Sequence, residues 1–170
     1  DLCSIGKIAG GGFALAAVAG CAELMAPFDP AAEPGQFMPQ IGTLSGNPIA
    51  AVAGLATLQI LRRPGIYEQL FATGRRLMDA LERLLKDGGI RAQVVGEPPM
   101  FDLFFTDTPI TDYRSTLTSD KQMLRRFNQL LLERGILKGD SKFYISLAHT
   151  EEDIDLTIEA FAGAIDELTR

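Results

Sequence analysis

The sequence predicts an α/β protein in two parts, and three observations carry that prediction. Helix-period apolar stripes alternate with short runs of β-branched and aromatic residues. Residues 1–63 are rich in Gly and Ala and poor in charge, the composition of a buried α/β layer, whereas residues 64–170 read helix, strands, helix, strands, helix, an α+β pattern. Hydrophobic residues make up 46% of the 170 and charged residues 22%, enough for a sizeable core and too apolar for disorder.

The elements follow in order. Ile8 to Gly20 reads as a glycine turn and then a buried strand near Leu15 to Ala19, of the kind a parallel sheet covers on both faces. Cys21 to Met25 fits a short helix stopped by Pro27. Residues 29–40 carry Pro30, Pro34, Gly35 and Pro39 and read as a loop. Asn47 before Pro48 marks a helix start, with Asn as cap and Pro in the first turn. That helix runs to about Arg62, and Ala50, Ala51, Ala53, Gly54 and Ala56 let another backbone approach it closely. Pro64-Gly65 ends it and sets the boundary between residues 1–63 and 64–170.

A second helix spans about Ile66 to Lys86. Leu70, Leu77, Leu81, Leu84 and Leu85 line one side, and Gly88-Gly89 closes it. Strands are expected at Arg91 to Val95 and Met100 to Thr106, then a turn-rich stretch to Thr118. Ser119-Asp120 opens a helix to about Arg134. Ile136-Leu137 and Phe143 to Leu147 read as short strands. Thr150 caps the last helix, with Asp153 in the capping-box position.

Charge and cysteine content narrow the function. Sixteen Lys and Arg against 22 Asp and Glu give a net charge of −6. An acidic chain lacks the basic face that nucleic acid or an anionic membrane requires. No apolar run approaches the ~20 residues of a membrane span. The first residues lack a signal peptide's pattern, because Asp1 leads and Lys7 is the only early base. Two cysteines, Cys3 and Cys21, make no disulfide framework and suit reduced thiols in the cytoplasm. One histidine, His149, with two cysteines does not compose a structural zinc site. No serine sits in a G-x-S-x-G turn. His149, between a strand and a helix cap, is expected to be structural.

Two segments carry candidate chemistry. Lys7 is the only Lys or Arg before Arg62, set in Ser4-Ile5-Gly6-Lys7-Ile8-Ala9-Gly10-Gly11-Gly12. It reads either as a solvated lysine beside a glycine turn or as a partly desolvated, nucleophilic amine that can form a Schiff base. It is no Walker A lysine, because it precedes its glycines. Gly42-Thr43-Leu44-Ser45-Gly46-Asn47-Pro48 brings hydroxyls and free N–H groups to a helix start. That is either plain capping or a phosphate site.

In this order the two segments resemble the class III, fold-type I aminotransferases that use pyridoxal 5′-phosphate, and within them the glutamate-1-semialdehyde 2,1-aminomutase branch. Ser146-Leu147-Ala148-His149-Thr150-Glu151-Glu152-Asp153-Ile154-Asp155 is similar to that branch, as are Met100-Phe101 and Phe104-Phe105-Thr106-Asp107. The resemblance implies that Lys7 forms the Schiff base with the cofactor and then moves a proton between the substrate α-carbon and cofactor C4′. It implies that Thr43 and Leu44 reach the phosphate of the other subunit in a homodimer with shared active sites. Residues 1–63 would then close the large-domain sheet, and residues 64–170 would be the small α+β domain. The chain resembles only the C-terminal part of such an enzyme. The Asp that pairs with the pyridine nitrogen and the ring-stacking aromatic belong to the N-terminal part in that family.

One departure bears on the reaction. The aminomutase branch carries Glu just before its last strand, where this sequence has Ser141. The expected activity is therefore transamination between a small-molecule amino donor and a keto acid or aldehyde. The aminomutase reaction and a non-catalytic fragment are the alternatives. Lys138 and Lys142 are placed in a turn, either solvated or available to a substrate carboxylate.

Overall fold

The computed structural model describes residues 1–33 and 35–170; Pro34, part of the expected loop 29–40, lies outside the described residues. They form two units, Asp1–Pro64 and Gly65–Arg170.

In the first unit, β1 (Leu2–Ile5) pairs antiparallel with β2 (Ala17–Gly20), with Leu2 opposite Gly20 and Ile5 opposite Ala17. The sequence did not foretell β1, because four residues carry too little alternation. β2 begins two residues later than expected. Its pairing is antiparallel, and its residues are exposed, because no layer of this unit lies over them. Between the strands, a 3-10 turn spans Lys7–Gly10. A single helical turn, α1 (Ala22–Met25), leads into a 3-10 turn at Ala26–Phe28 that contains Pro27. The helix α2 (Pro48–Leu61) buries only Ala50 and Gly54, and with Gly10 these are the fully buried residues described in this unit. Ile49, Val52, Leu55, Leu58 and Ile60 on the same helix are exposed.

The second unit holds the hydrophobic core. The helix α3 (Ile66–Asp87) turns Leu77, Met78, Leu81 and Leu85 inward. The strands β3 (Gln93–Glu97), β4 (Met100–Phe104) and β5 (Phe143–Tyr144) form an antiparallel sheet in that order. Period-two alternation buries Phe101 and Leu103 of β4 and leaves Met100 exposed. The helices α5 (Lys121–Glu133) and α6 (Glu151–Leu168) add Phe127, Leu130, Leu131, Ile154, Phe161 and Ile165. Phe101 stacks on Phe143 at 4.8 Å between ring centroids, and Phe143 meets Phe161 edge-on at 5.5 Å. These separations suit offset or edge contacts between rings.

The expected caps formed. Asp120 accepts from Gln122 and Met123 N–H, and Thr150 and Asp153 make a reciprocal capping box. Ile136-Leu137 joins no strand, and β5 is two residues long. Leu137 is exposed, so the apolar pair is a connection rather than a sheet element. Within the turn-rich stretch, a one-turn helix α4 (Tyr113–Thr116) is held by an Asp112–Ser115 capping box. Among the described residues, no helix is long and apolar enough to cross a membrane.

Candidate functional site

Lys7 opens the 3-10 turn directly after β1. Its φ is 51°, in the left-handed region. Among the described residues only Lys7 and Lys142 adopt such a φ without being glycine. A lysine gains nothing there that a glycine would not, and such strain concentrates where a side chain must be aimed. The turn is closed by Gly11, whose φ is 57° and whose N–H donates to the Ile8 carbonyl at 3.0 Å.

The turn rests on α2 through backbone rather than side chains. A Cβ on Gly11 would stand 2.4 Å from Thr57 Oγ1 and 3.1 Å from the Ala53 carbonyl oxygen. A Cβ on Gly54 would stand 2.9 Å from the Ala9 carbonyl oxygen. The small residues of α2 therefore seat the Lys7 turn. Lys7 itself is exposed, so its apolar neighbours do not desolvate it within this chain. Gly6 and Gly10 to Gly12 carry no side chain to cover the amine.

Thr43 and Leu44 sit in turns leading to α2. Asn47 Oδ1 accepts from Ile49 N–H at 2.9 Å and from Ala50 N–H at 3.4 Å, so the first helical donors are taken by the cap. Ser45 N–H donates to the Gly42 carbonyl, and Asn47 N–H to the Leu44 carbonyl. The N–H groups of Thr43, Leu44 and Gly46 find no acceptor among the described residues. Beside them lies a cavity of about 350 Å³ lined by Leu44, Ser45, Gly46 and Asn47, with Leu15 and Ala50 on its wall. No carboxylate lines it. Free N–H groups, hydroxyls and a helix N-terminus without a negative side chain fit the phosphate of a cofactor. Neither Lys7 nor Thr43 lines this cavity. The Lys7 amine and the loop before α2 are therefore separate places on one unit.

In the second unit, His149 Nδ1 accepts from Ser146 N–H at 3.2 Å, the structural role expected of it. Ser141 is exposed beside the turn. Lys138 is not solvated: its side chain is 1% exposed, with Nζ 3.6 Å from Asp102 Oδ1 and 4.9 Å from the Phe143 ring centroid. The only sign of this in the sequence is Asp102, a carboxylate inside a Phe-rich strand. Cys3 and Cys21 are free thiols, both exposed.

The profile of the aminotransferase class-III family matches residues 1–165. Glutamate-1-semialdehyde 2,1-aminomutase from Desulfosudis oleivorans is 39% identical over 99% of this chain, and an enzyme of that name from Thermus thermophilus is 41% identical over 97%. Each match covers 39% of the relative's own length. An omega-transaminase from Sphaerobacter thermophilus superposes with a TM-score of 0.90 at 32% identity, over 99% of this chain and 39% of that one. A β-phenylalanine aminotransferase from Variovorax paradoxus gives 0.87 at 27% identity, over 98% and 38%. The chain thus shares the α/β fold of these transaminases along nearly its whole length.

Proposed function

The chain belongs to the class-III aminotransferase family, and we propose that it is the C-terminal part of a pyridoxal-phosphate-dependent transaminase passing an amino group from an amino donor to a keto acid or aldehyde. It spans 39% of the length of the relatives it matches, so the activity belongs to a larger enzyme in which these residues supply part of the site. The cofactor contributes an aldehyde carbon that a lysine amine can bond and a ring that accepts the electrons left on the substrate α-carbon.

Lys7 is the amine we assign to that bond. The supporting observation is its left-handed backbone in a glycine turn seated on α2. Lys7 would hold the cofactor through Nζ and, as a free neutral amine, would take a proton at Nζ and return it. An exposed side chain on a fixed backbone turn is free to make that exchange. Thr43 and Leu44 are assigned to the phosphate, through the Thr43 hydroxyl and the two unoccupied N–H groups. In this reading they serve the neighbouring subunit of a homodimer, since Lys7 lies outside the cavity that Leu44 lines. Residues 1–63 then belong to the cofactor-binding large domain and residues 64–170 to the small domain. The free thiols suit a reducing cytoplasm.

A second reading, the aminomutase, is favoured by the 39–41% identity to enzymes of that name. Ser141 in place of Glu weighs toward transamination. One assay separates them in the full-length enzyme. A transaminase consumes an amino donor only in step with a keto acid or aldehyde. An aminomutase converts glutamate-1-semialdehyde with no second substrate.

A further inference from the structure

Residues 139–142 of the second unit form an exposed turn that its own backbone does little to hold. The N–H groups of Gly139, Asp140 and Ser141 donate to no described backbone carbonyl. At the far end Lys142 sits in the left-handed region, with φ 61°, a strained conformation for a residue with a Cβ. Side chains close the turn instead. The Gly139 carbonyl accepts from Lys138 Nζ at 3.3 Å and from Asn128 Nδ2 of α5 at 3.2 Å. Lys138, Gly139 and Lys142 thereby form one wall of a cavity whose other walls include Leu77, Ile145 and Ile154.

Lys138 is the only buried charged residue among those described. Its ammonium lies 4.9 Å from the Phe143 ring centroid and 3.6 Å from Asp102 Oδ1 on β4, ion-pair distance but longer than a good hydrogen bond. The other charged or titratable groups near it are Asp140 and Lys142 in the turn, and His149 and Asp153 at the approach to α6. Asp153 is committed, because its Oδ2 accepts both the N–H and the hydroxyl of Thr150. Burial pushes the ammonium's pKa down, against the opposing pull of Asp102 first and Asp140 second. The closed turn thus keeps a cation out of water on the strength of one ion pair. Were Asp102 to lose its charge, the ammonium would have to regain water. Lys138 could then no longer hold the Gly139 carbonyl, and the strain at Lys142 would favour the opening.

We propose that residues 139–142 are a charge-operated strap, closed over the cavity while Asp102 is ionised and open when Asp102 is neutral and Lys138 still carries its proton. The device lies within the second unit and does not depend on the transaminase reading.

Hydrogen exchange of the full chain, followed by mass spectrometry, tests it on peptides covering residues 138–142. Asp102→Asn removes the charge and keeps the oxygen that accepts the Leu103 N–H at 2.8 Å. Exchange across the turn should speed about tenfold or more, with less than about threefold change in α3 and α6. Lys138→Met removes the cation and should leave the turn as protected as in the parent. The double variant should return to within about threefold of the parent, since no charge remains to be solvated. Should Asp102→Asn alone fail to fold, recovery of folding in the double variant is the expected result. The urea midpoint of Asp102→Asn should also rise with pH. With the folded-state pKa of Lys138 below the unfolded value, the cost of its charge is complete below the folded value and is relieved as the pH rises through it. Unchanged exchange in Asp102→Asn, faster exchange in Lys138→Met, no recovery in the double variant, or a midpoint of Asp102→Asn that does not rise with pH would each overturn the proposal.

Discussion

Gly11 and Thr57 approach so closely that a Cβ on the glycine would stand 2.4 Å from the threonine Oγ1. That approach sets the height of the Lys7 turn on α2. Thr57 Oγ1 cannot simply swing away, because it donates to the Ala53 carbonyl at 3.0 Å, and that carbonyl oxygen is itself 3.1 Å from the added carbon. Gly11→Ala should cost about 1–3 kcal/mol of stability through strain and collision. It should also reduce covalent cofactor occupancy, read as visible absorbance of the full-length enzyme. Gly65→Ala is the control: it too has a positive φ, 83°, but nothing within 4 Å of the added carbon, and it lies outside the loop assigned to the phosphate. Equal effects of the two substitutions would show that the contact with α2 is not what matters at Gly11.

Gly74 lies inside α3, where alanine would ordinarily favour the helix by about 1 kcal/mol. Here a Cβ would stand 2.0 Å from the Pro98 carbonyl oxygen, a backbone atom that cannot rotate away. Gly74→Ala should therefore destabilise the second unit by about 1–3 kcal/mol, in the range of overpacked cores. Urea unfolding followed by circular dichroism measures it, and a raised midpoint would contradict the packing described.

Asp153 holds the start of α6. Hydrogen bonds from the Thr150 backbone N–H, then from its hydroxyl, hold the Asp153 carboxyl below the usual carboxylate range. The folded-state pKa thus lies below that of the unfolded chain. The stabilising contribution is complete above the unfolded value and is lost as the pH falls through the folded one. Stability should decline as the pH falls through 3.8 and below, in part through this group. Asp153→Asn should lower stability at neutral pH and flatten that acid dependence. A variant with the parent's acid slope would remove Asp153 from the account.

The sequence was most legible where one residue type has one physical role. Asn47-Pro48, Asp120 and Thr150 announced their helices because the side-chain oxygen meets orphan N–H groups whatever lies around it. The small residues of α2 foretold a close backbone approach, and Gly11 and Gly54 make it. Short strands were harder: β1 and β5 have four and two residues, too few for a period to register. The burial of Lys138 was also hidden. It depends on Asp102, thirty-six positions away, and on Phe143, which the chain brings together only after β4 and β5 pair. For Lys7 the sequence left a solvated and a desolvated amine open, because apolar neighbours in sequence need not be neighbours of the amine in space.

Borohydride reduction of the full-length enzyme followed by peptide mapping tests the proposed bond between Lys7 and the cofactor. The visible band should be lost, with the reduced pyridoxyl group on the peptide carrying Lys7. Lys7→Ala should show no covalent label and lose transamination. Label on another lysine, or near-parent turnover by Lys7→Ala, would contradict it.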